Sequence, residues 1–284
     1  MPNILVLASE TIGGAKLLET VRRRAEQGDA RFFVCVPQTR PRHGNVIYDD
    51  AVRDAAQVRV DLTKAFLREI GLEGGGTVGD PDPFNAAMDA ISQYAIDEVI
   101  VSTRPAQTSG WLRRDLPERI QQASGLPVEH VVVDIDNEGL PFDVTLVVAN
   151  QTVAGRELVE RLKQKAEEGP RRFIVAVPQD SGDGVAVADA RGRLQLLLTS
   201  LEESGIIAAG SIADPDPYTA IMNAVQVFYI SEIVISTLPE NESRWLAKGL
   251  IDRVRRASGR PVEHVESGTE PVETQTGAGA SGTA

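Results

Sequence analysis

Cysteine is almost missing from this chain of 284 residues: the single Cys35 lies in the apolar run FFVCV, and its counterpart in a second copy of the same pattern is Ala176. An intrachain disulfide is therefore excluded, and a small core residue without redox or catalytic role is expected. Basic residues are also short, 29 against 41 acidic ones, for a formal net charge of −12 and a pI near 4.8. Nucleic-acid recognition needs clustered Lys and Arg, so no nucleic-acid partner is expected. Long apolar runs are lacking too. No uninterrupted stretch of about 18 residues suits a membrane span, and no charged-then-apolar start marks a secretion signal. The expectation is a cytoplasmic protein with no membrane contact.

What the chain does contain, it contains twice. Ala8 to Gln38 (ASETIGGAKLLETVRRRAEQGDARFFVCVPQ) matches Ala149 to Gln179 (ANQTVAGRELVERLKQKAEEGPRRFIVAVPQ) at an offset of 149 − 8 = 141. GDPDPFNAAMDAI at Gly79 to Ile91 returns as ADPDPYTAIMNAV at Ala213 to Val225, now at 214 − 80 = 134, and Trp111 returns as Trp245. A period this long is a whole domain. The expected units are 1–135 and 143–267, joined by the turn-rich stretch 135–142 and followed by a disordered tail over 268–284.

Within the first unit, apolar β-branched runs at 4–8, 32–36, 75–79, 99–103 and 128–133 alternate with helical patterns near 13–27, 50–70, 83–95 and 115–123. Near-continuous apolar strands separated by helices mean a parallel sheet covered on both faces. The fold class is α/β, two tandem Rossmann-like doubly wound five-stranded sheets.

The opening ILVLASETIGGAKLL, the VGDPDPFNAAMDAI block and DEVIVSTRP followed by SGLPVEHVVV resemble the universal stress protein family, and the likeness runs over both copies. The resemblance implies a tandem member with strand order 3-2-1-4-5 in each unit, of the adenine nucleotide alpha hydrolase-like type. It also implies a pseudo-dimer in which the fifth strands, 128–133 and 262–267, lie side by side. A further homo-oligomer is compatible with it. Many such proteins bind ATP, with an acidic residue after the first strand and a Gly-x-x-Gly-(nine residues)-Gly-Ser/Thr loop after the fourth. Glycines there let N–H groups approach phosphates at a helix start.

This chain departs from that pattern. Ser9 and Asn150 hold the acidic position; Ser102, Pro105 and Asp115 replace the glycines in the first copy, and Ser236, Pro239 and Gly249 stand there in the second. Leu116 and Leu250 replace the phosphate-binding hydroxyl. Asp115, with Glu118 and Pro117, reads as an Asp-x-x-Glu cap whose carboxylate occupies its own helix terminus. The first copy is thus expected to be closed to ATP. If ATP or another adenine nucleotide binds, the resemblance assigns Asn150, Thr152, Val177, Ser236, Thr237, Ser243, Arg244 and Gly249 in the second copy, and Ser9, Thr11, Val36 and Thr103 in the first.

Other constellations have plainer readings. Asp82 and Asp216 are expected N-caps before Pro83 and Pro217, leaving Asp80 and Asp214 at the carboxyl edge of the sheet. A phosphoacceptor receiver domain would use Asp80 with Thr103 or Asp214 with Thr237, but its Lys after the fifth strand is absent from both copies. His130 and His264 share one fifth-strand position with no Ser, Cys or metal-ligand partner at a recognisable spacing, and His43 lies in a loop that only the first copy has in full. Both His are expected to be structural. Trp111 and Trp245 should anchor the fourth-strand loops on the sheet. No catalytic or metal site is expected. The reading is a non-catalytic stress-associated binding or regulatory module; the alternative is an adenine-nucleotide-binding protein using mainly the second copy, with slow hydrolysis.

Overall fold

A computed structural model describes residues 1–38, 49–105, 111, 115–178 and 184–268. The first unit runs β1 (Asn3–Leu7), α1 (Ala15–Glu26), β2 (Arg31–Pro37), α2 (Asp49–Glu69), β3 (Gly74–Gly79), α3 (Pro83–Tyr94), β4 (Glu98–Thr103), α4 (Leu116–Ser124) and β5 (Val128–Val132). After the one-turn α5 (Ile135–Glu138), the second runs β6 (Asp143–Val148), α6 (Arg156–Glu167), β7 (Arg171–Pro178), α7 (Gly184–Glu203), β8 (Ala208–Ala213), α8 (Pro217–Val227), β9 (Glu232–Thr237), α9 (Arg244–Ala247), α10 (Leu250–Ser258) and β10 (Val262–Glu266). The strands form two parallel five-stranded sheets, β3-β2-β1-β4-β5 and β8-β7-β6-β9-β10. A receiver domain has the order 2-1-3-4-5, so the topology rejects that competitor. The order reverses between β1 and β4, and between β6 and β9, which opens a crevice at the carboxyl ends of those strands.

Strand residues such as Ile4, Leu5, Leu7, Val99, Ile100 and Val101 are fully buried, because helices cover both faces of each sheet. Cys35 is one of these core residues; its thiol donates to the Ala86 carbonyl at 3.6 Å, and burial pushes its pKa up to about 12. The DPDP motifs start helices as their chemistry dictates. Asp82 Oδ1 accepts from the Phe84 and Asn85 amides at 2.9 and 3.3 Å, and Asp216 Oδ2 accepts from Thr219 N at 3.0 Å. Asp80 and Asp214 accept from the Asp82 and Asp216 amides at 2.8 and 2.9 Å, so they shape the turn ahead of the cap.

Asp115 corrects an expectation. It is the N-cap of α4 but adopts a left-handed backbone (φ 45°, ψ 46°) and makes no side-chain cap bond. Gly249 holds the equivalent place before α10 with nearly the same angles (φ 59°, ψ 36°). The turn is left-handed in both copies, whereas a capping side chain reaches the helix amides from an extended N-cap backbone.

The two units are joined otherwise than through their fifth strands. β5 is hydrogen-bonded to β4 and β10 to β9, each at the edge of its own sheet, so the expected β5–β10 pairing is not formed. Helix α2 makes the junction instead, lying against β2 and β3 of its own sheet and against β8 of the other. Ala56, Val60 and Leu67 enter the first core, Val58 enters the second, and Leu62 packs against both. A helix apolar on more than one face is stable only when covered on more than one face. The linker also differs from a plain turn: Asp134 caps α5 through the Asn137 amide, and Leu140 packs on both cores.

Candidate functional site

The second unit carries a polar cleft of about 430 Å³ at the point where its strand order reverses. Asn150, Gln151 and Thr152 come from the turn after β6, Ser236, Thr237 and Leu238 from the end of β9, and Glu242, Ser243, Arg244 and Trp245 from the loop beyond it. That loop is closed locally. The Pro239 carbonyl accepts from the Glu242 and Ser243 amides at 2.8 and 3.0 Å, and Ser243 Oγ then accepts from Leu246 N at 3.3 Å to cap α9. Trp245 is half-buried against the second unit's core, anchoring the loop while lining the cleft. Trp111 is likewise packed against the core of the first unit.

Several walls of the cleft are fixed by hydrogen bonds between the assigned residues. Ser236 Oγ donates to Thr152 Oγ1 at 2.9 Å, and the first copy repeats this with Ser102 and Thr11 at the same distance. Thr237 Oγ1 donates to the Leu238 carbonyl at 2.7 Å and lies 2.9 Å from His264 Nε2. Thr103 lies 2.8 Å from His130 Nε2 in the first copy. The two histidines therefore do have hydroxyl partners, hidden from spacing rules because they sit on adjacent strands, 27 residues apart. Each contact ties a hydroxyl at the end of one strand to an imidazole on its neighbour. Burial pushes the His130 pKa down, against a pull upward from Glu118.

Asn150 is held by a residue that sequence reading missed. Arg193 of α7 donates from Nη2 to Asn150 Oδ1 at 3.0 Å and from Nε to its carbonyl at 3.3 Å. Nothing in a helical surface arginine marks this role; only the fold brings α7 to the turn after β6.

Six assigned residues of the second copy (Asn150, Thr152, Ser236, Thr237, Ser243 and Arg244) thus meet in one cleft. Val177 and Gly249 do not line it. Val177 is buried in the core, and the Gly249 amide is spent on the Leu246 carbonyl at 2.9 Å. In the first copy Ser9, Thr11, Val36 and Thr103 are all buried, with Val36 in the core. Its loop residues 106–110 and 112–114, His43, the second unit's loop residues 179–183 and the tail from 269 lie outside the described residues. Among the described residues no group of three or more His, Cys, Asp or Glu could hold a metal ion, and no helix is long and apolar enough to cross a membrane.

No family model matches the chain. No curated protein matches it either. Solved structures do resemble it. A universal stress protein from Archaeoglobus fulgidus DSM 4304 is 17% identical, covering 93% of this chain and 96% of that one, with a TM-score of 0.36. Histidinol dehydrogenase from Elizabethkingia anophelis is 12% identical over 93% of this chain and 52% of its own, with a TM-score of 0.26. The ADP-heptose lps heptosyltransferase II of E. coli is 13% identical over 93% and 84%, with a TM-score of 0.28. At these identities and TM-scores the likenesses assign no activity, and the fold class rests on the observed strand order.

Proposed function

We propose that the chain is a non-catalytic small-molecule-binding module of the universal-stress-protein type, a tandem form whose working site is the cleft of the second unit. The observation that carries this reading is the placement of a polar cleft of about 430 Å³ at the strand-order reversal between β6 and β9. Ligands of open α/β sheets bind there, and the volume falls within the usual ~300–1,000 Å³ of such sites. Among the described residues the walls offer hydroxyls and an amide suited to a ribose or a heterocycle, with Arg244 as the single cation and Glu242 as a carboxylate in the same lining. That balance favours a nucleoside or nucleoside monophosphate over ATP, since a carboxylate about 4 Å from a phosphate opposes it by roughly 1–4 kcal/mol. Hydrolysis is not part of this reading.

Calorimetric titration of the whole chain with adenosine, AMP and ATP tests it. The expected result is one site per chain with ATP the weakest, and Arg244→Ala should weaken AMP without affecting adenosine. Two equivalent sites, or tight ATP binding unaffected by Arg244→Ala, would refute the assignment.

A further inference from the structure

A second cavity lies where the two units meet, and it differs in character from the polar cleft. Leu18 and Phe66 of the first unit, Leu62 of the junction helix α2, and Phe142 and Ile174 of the second unit make its walls apolar. Arg59, also on α2, lines it while only 8% exposed. Its guanidinium lies 5.1 Å over the Phe228 ring and donates to the carbonyl of Val227, the last residue of α8.

These contacts leave the charge incompletely answered. A helix C-terminus offers about half a negative charge, and a guanidinium has five N–H donors to satisfy. Among the described residues no carboxylate forms an ion pair with Arg59. Glu10, at the rim, is taken by Arg104 at 2.9 Å, and Arg172, the other cation there, is paired with Glu69 at 3.2 Å and stacked on Phe142. Burial lowers the Arg59 pKa, and the charges of Glu10 and Tyr229 pull it back up only in part. A buried cation in an apolar pocket at a domain junction is the pattern of a site for an anion with an apolar body.

We propose that the cavity between the two units binds a small organic carboxylate, its carboxyl group on Arg59 and its hydrocarbon part against Leu18, Leu62 and Phe66. Size limits the ligand. A volume of about 70 Å³ accommodates about five to seven waters at ~10–15 Å³ each, and that many waters displace about 150–210 Å³ of liquid. That is the bulk of an acid with a chain or ring of about six carbons. The site does not depend on the polar cleft of the second unit, which shares no lining residue with it.

The test is calorimetry of the full chain with hexanoate and with hexanamide, which has the same shape and no charge. Hexanoate should bind once per chain and about tenfold more tightly than the amide. Arg59→Gln should erase that preference. Leu62→Trp, which fills the cavity and keeps the guanidinium, should block both compounds. Equal affinity for acid and amide, no hexanoate binding by the wild type, or hexanoate binding undisturbed by Leu62→Trp would each overturn the proposal. Should Arg59→Gln not fold, the wild-type acid-to-amide comparison and Leu62→Trp still decide.

Discussion

Arg59 and Arg193 stand at the same position of equivalent helices, 193 − 59 = 134 residues apart, the same spacing as the helix ends at 203 − 69 = 134. They bond in different directions. Arg59 crosses the domain boundary to the Val227 carbonyl, whereas Arg193 stays inside its own unit and fixes Asn150 at the polar cleft. The helices diverge around them in the same sense: Val58 and Leu62 of α2 correspond to Gly192 and the exposed Leu196 of α7, and Phe66 to Ser200. The two copies of this helix have therefore diverged, one joining two sheets and the other leaving Leu196 exposed.

The junction has a polar rim whose pH response follows from its chemistry. Arg104 donates to Glu10 at 2.9 Å and to the Tyr229 hydroxyl at 3.3 Å, and also pairs with Asp136, which accepts from Tyr229 at 3.3 Å. Burial raises the Tyr229 pKa above its ordinary 10.0; Arg104 pulls it down, but Asp136 and Glu10 add to the rise. The folded state thus holds the proton more tightly than the unfolded one, so stability is lost as pH rises from about 10 through the folded pKa. Urea unfolding at pH 9 and pH 11 should show Tyr229→Phe losing less stability over that interval than the wild type. An identical loss in both proteins would count against the buried phenol.

The architecture was legible because its signals are local or repeated. Apolar runs such as ILVLA and VIVST fix the strands, Asp-Pro fixes the starts of α3 and α8, and the internal repeat fixes two units. The polar cleft was legible through Asn150, Thr152 and the loop from Ser236 to Arg244, since strand order alone puts strand ends one and four together. What escaped depends on tertiary placement. The second face of α2 reads as ordinary amphipathicity until β8 is seen against it, and Arg193 reads as a solvated surface residue. Asp115 misled because the capping rule assumes an extended N-cap backbone, while this turn is left-handed.

A lock common to both copies yields a graded prediction. Arg24 pairs with Glu98 in the first unit, and its counterpart Lys165 pairs with Glu232 and Glu263 at 2.9 Å each in the second. The Lys165 side chain is 4% exposed and that of Arg24 22%. Removing a buried partner leaves carboxylates with one fewer answering charge, so Lys165→Met should cost about 3 kcal/mol. Arg24→Met should cost about 1 kcal/mol, as a more solvated pair does. Equilibrium unfolding in urea checks the order; equal costs would mean that burial does not set the strength of the lock.

Asp115 and Gly249 provide the sharpest test of the turn before the fourth-strand helix. Both adopt left-handed backbones, φ 45° and φ 59°, yet only one is glycine. A non-glycine residue in that conformation costs about 1 kcal/mol, and Asp115 gains no cap bond to offset it. Asp115→Gly should therefore stabilise the chain by about 0.5–1 kcal/mol, opposite in sign to the loss expected of a working N-cap. Gly249→Ala should destabilise by a similar amount through φ alone, since a Cβ built there meets nothing within 4 Å. Gly249→Asn should cost less than Gly249→Ala, because asparagine tolerates the left-handed region better than alanine. Denaturant unfolding of the three variants reads all of these signs. If Asp115→Gly loses about 1 kcal/mol instead, the carboxylate does cap α4 in solution, and its negative charge sits at that helix start after all.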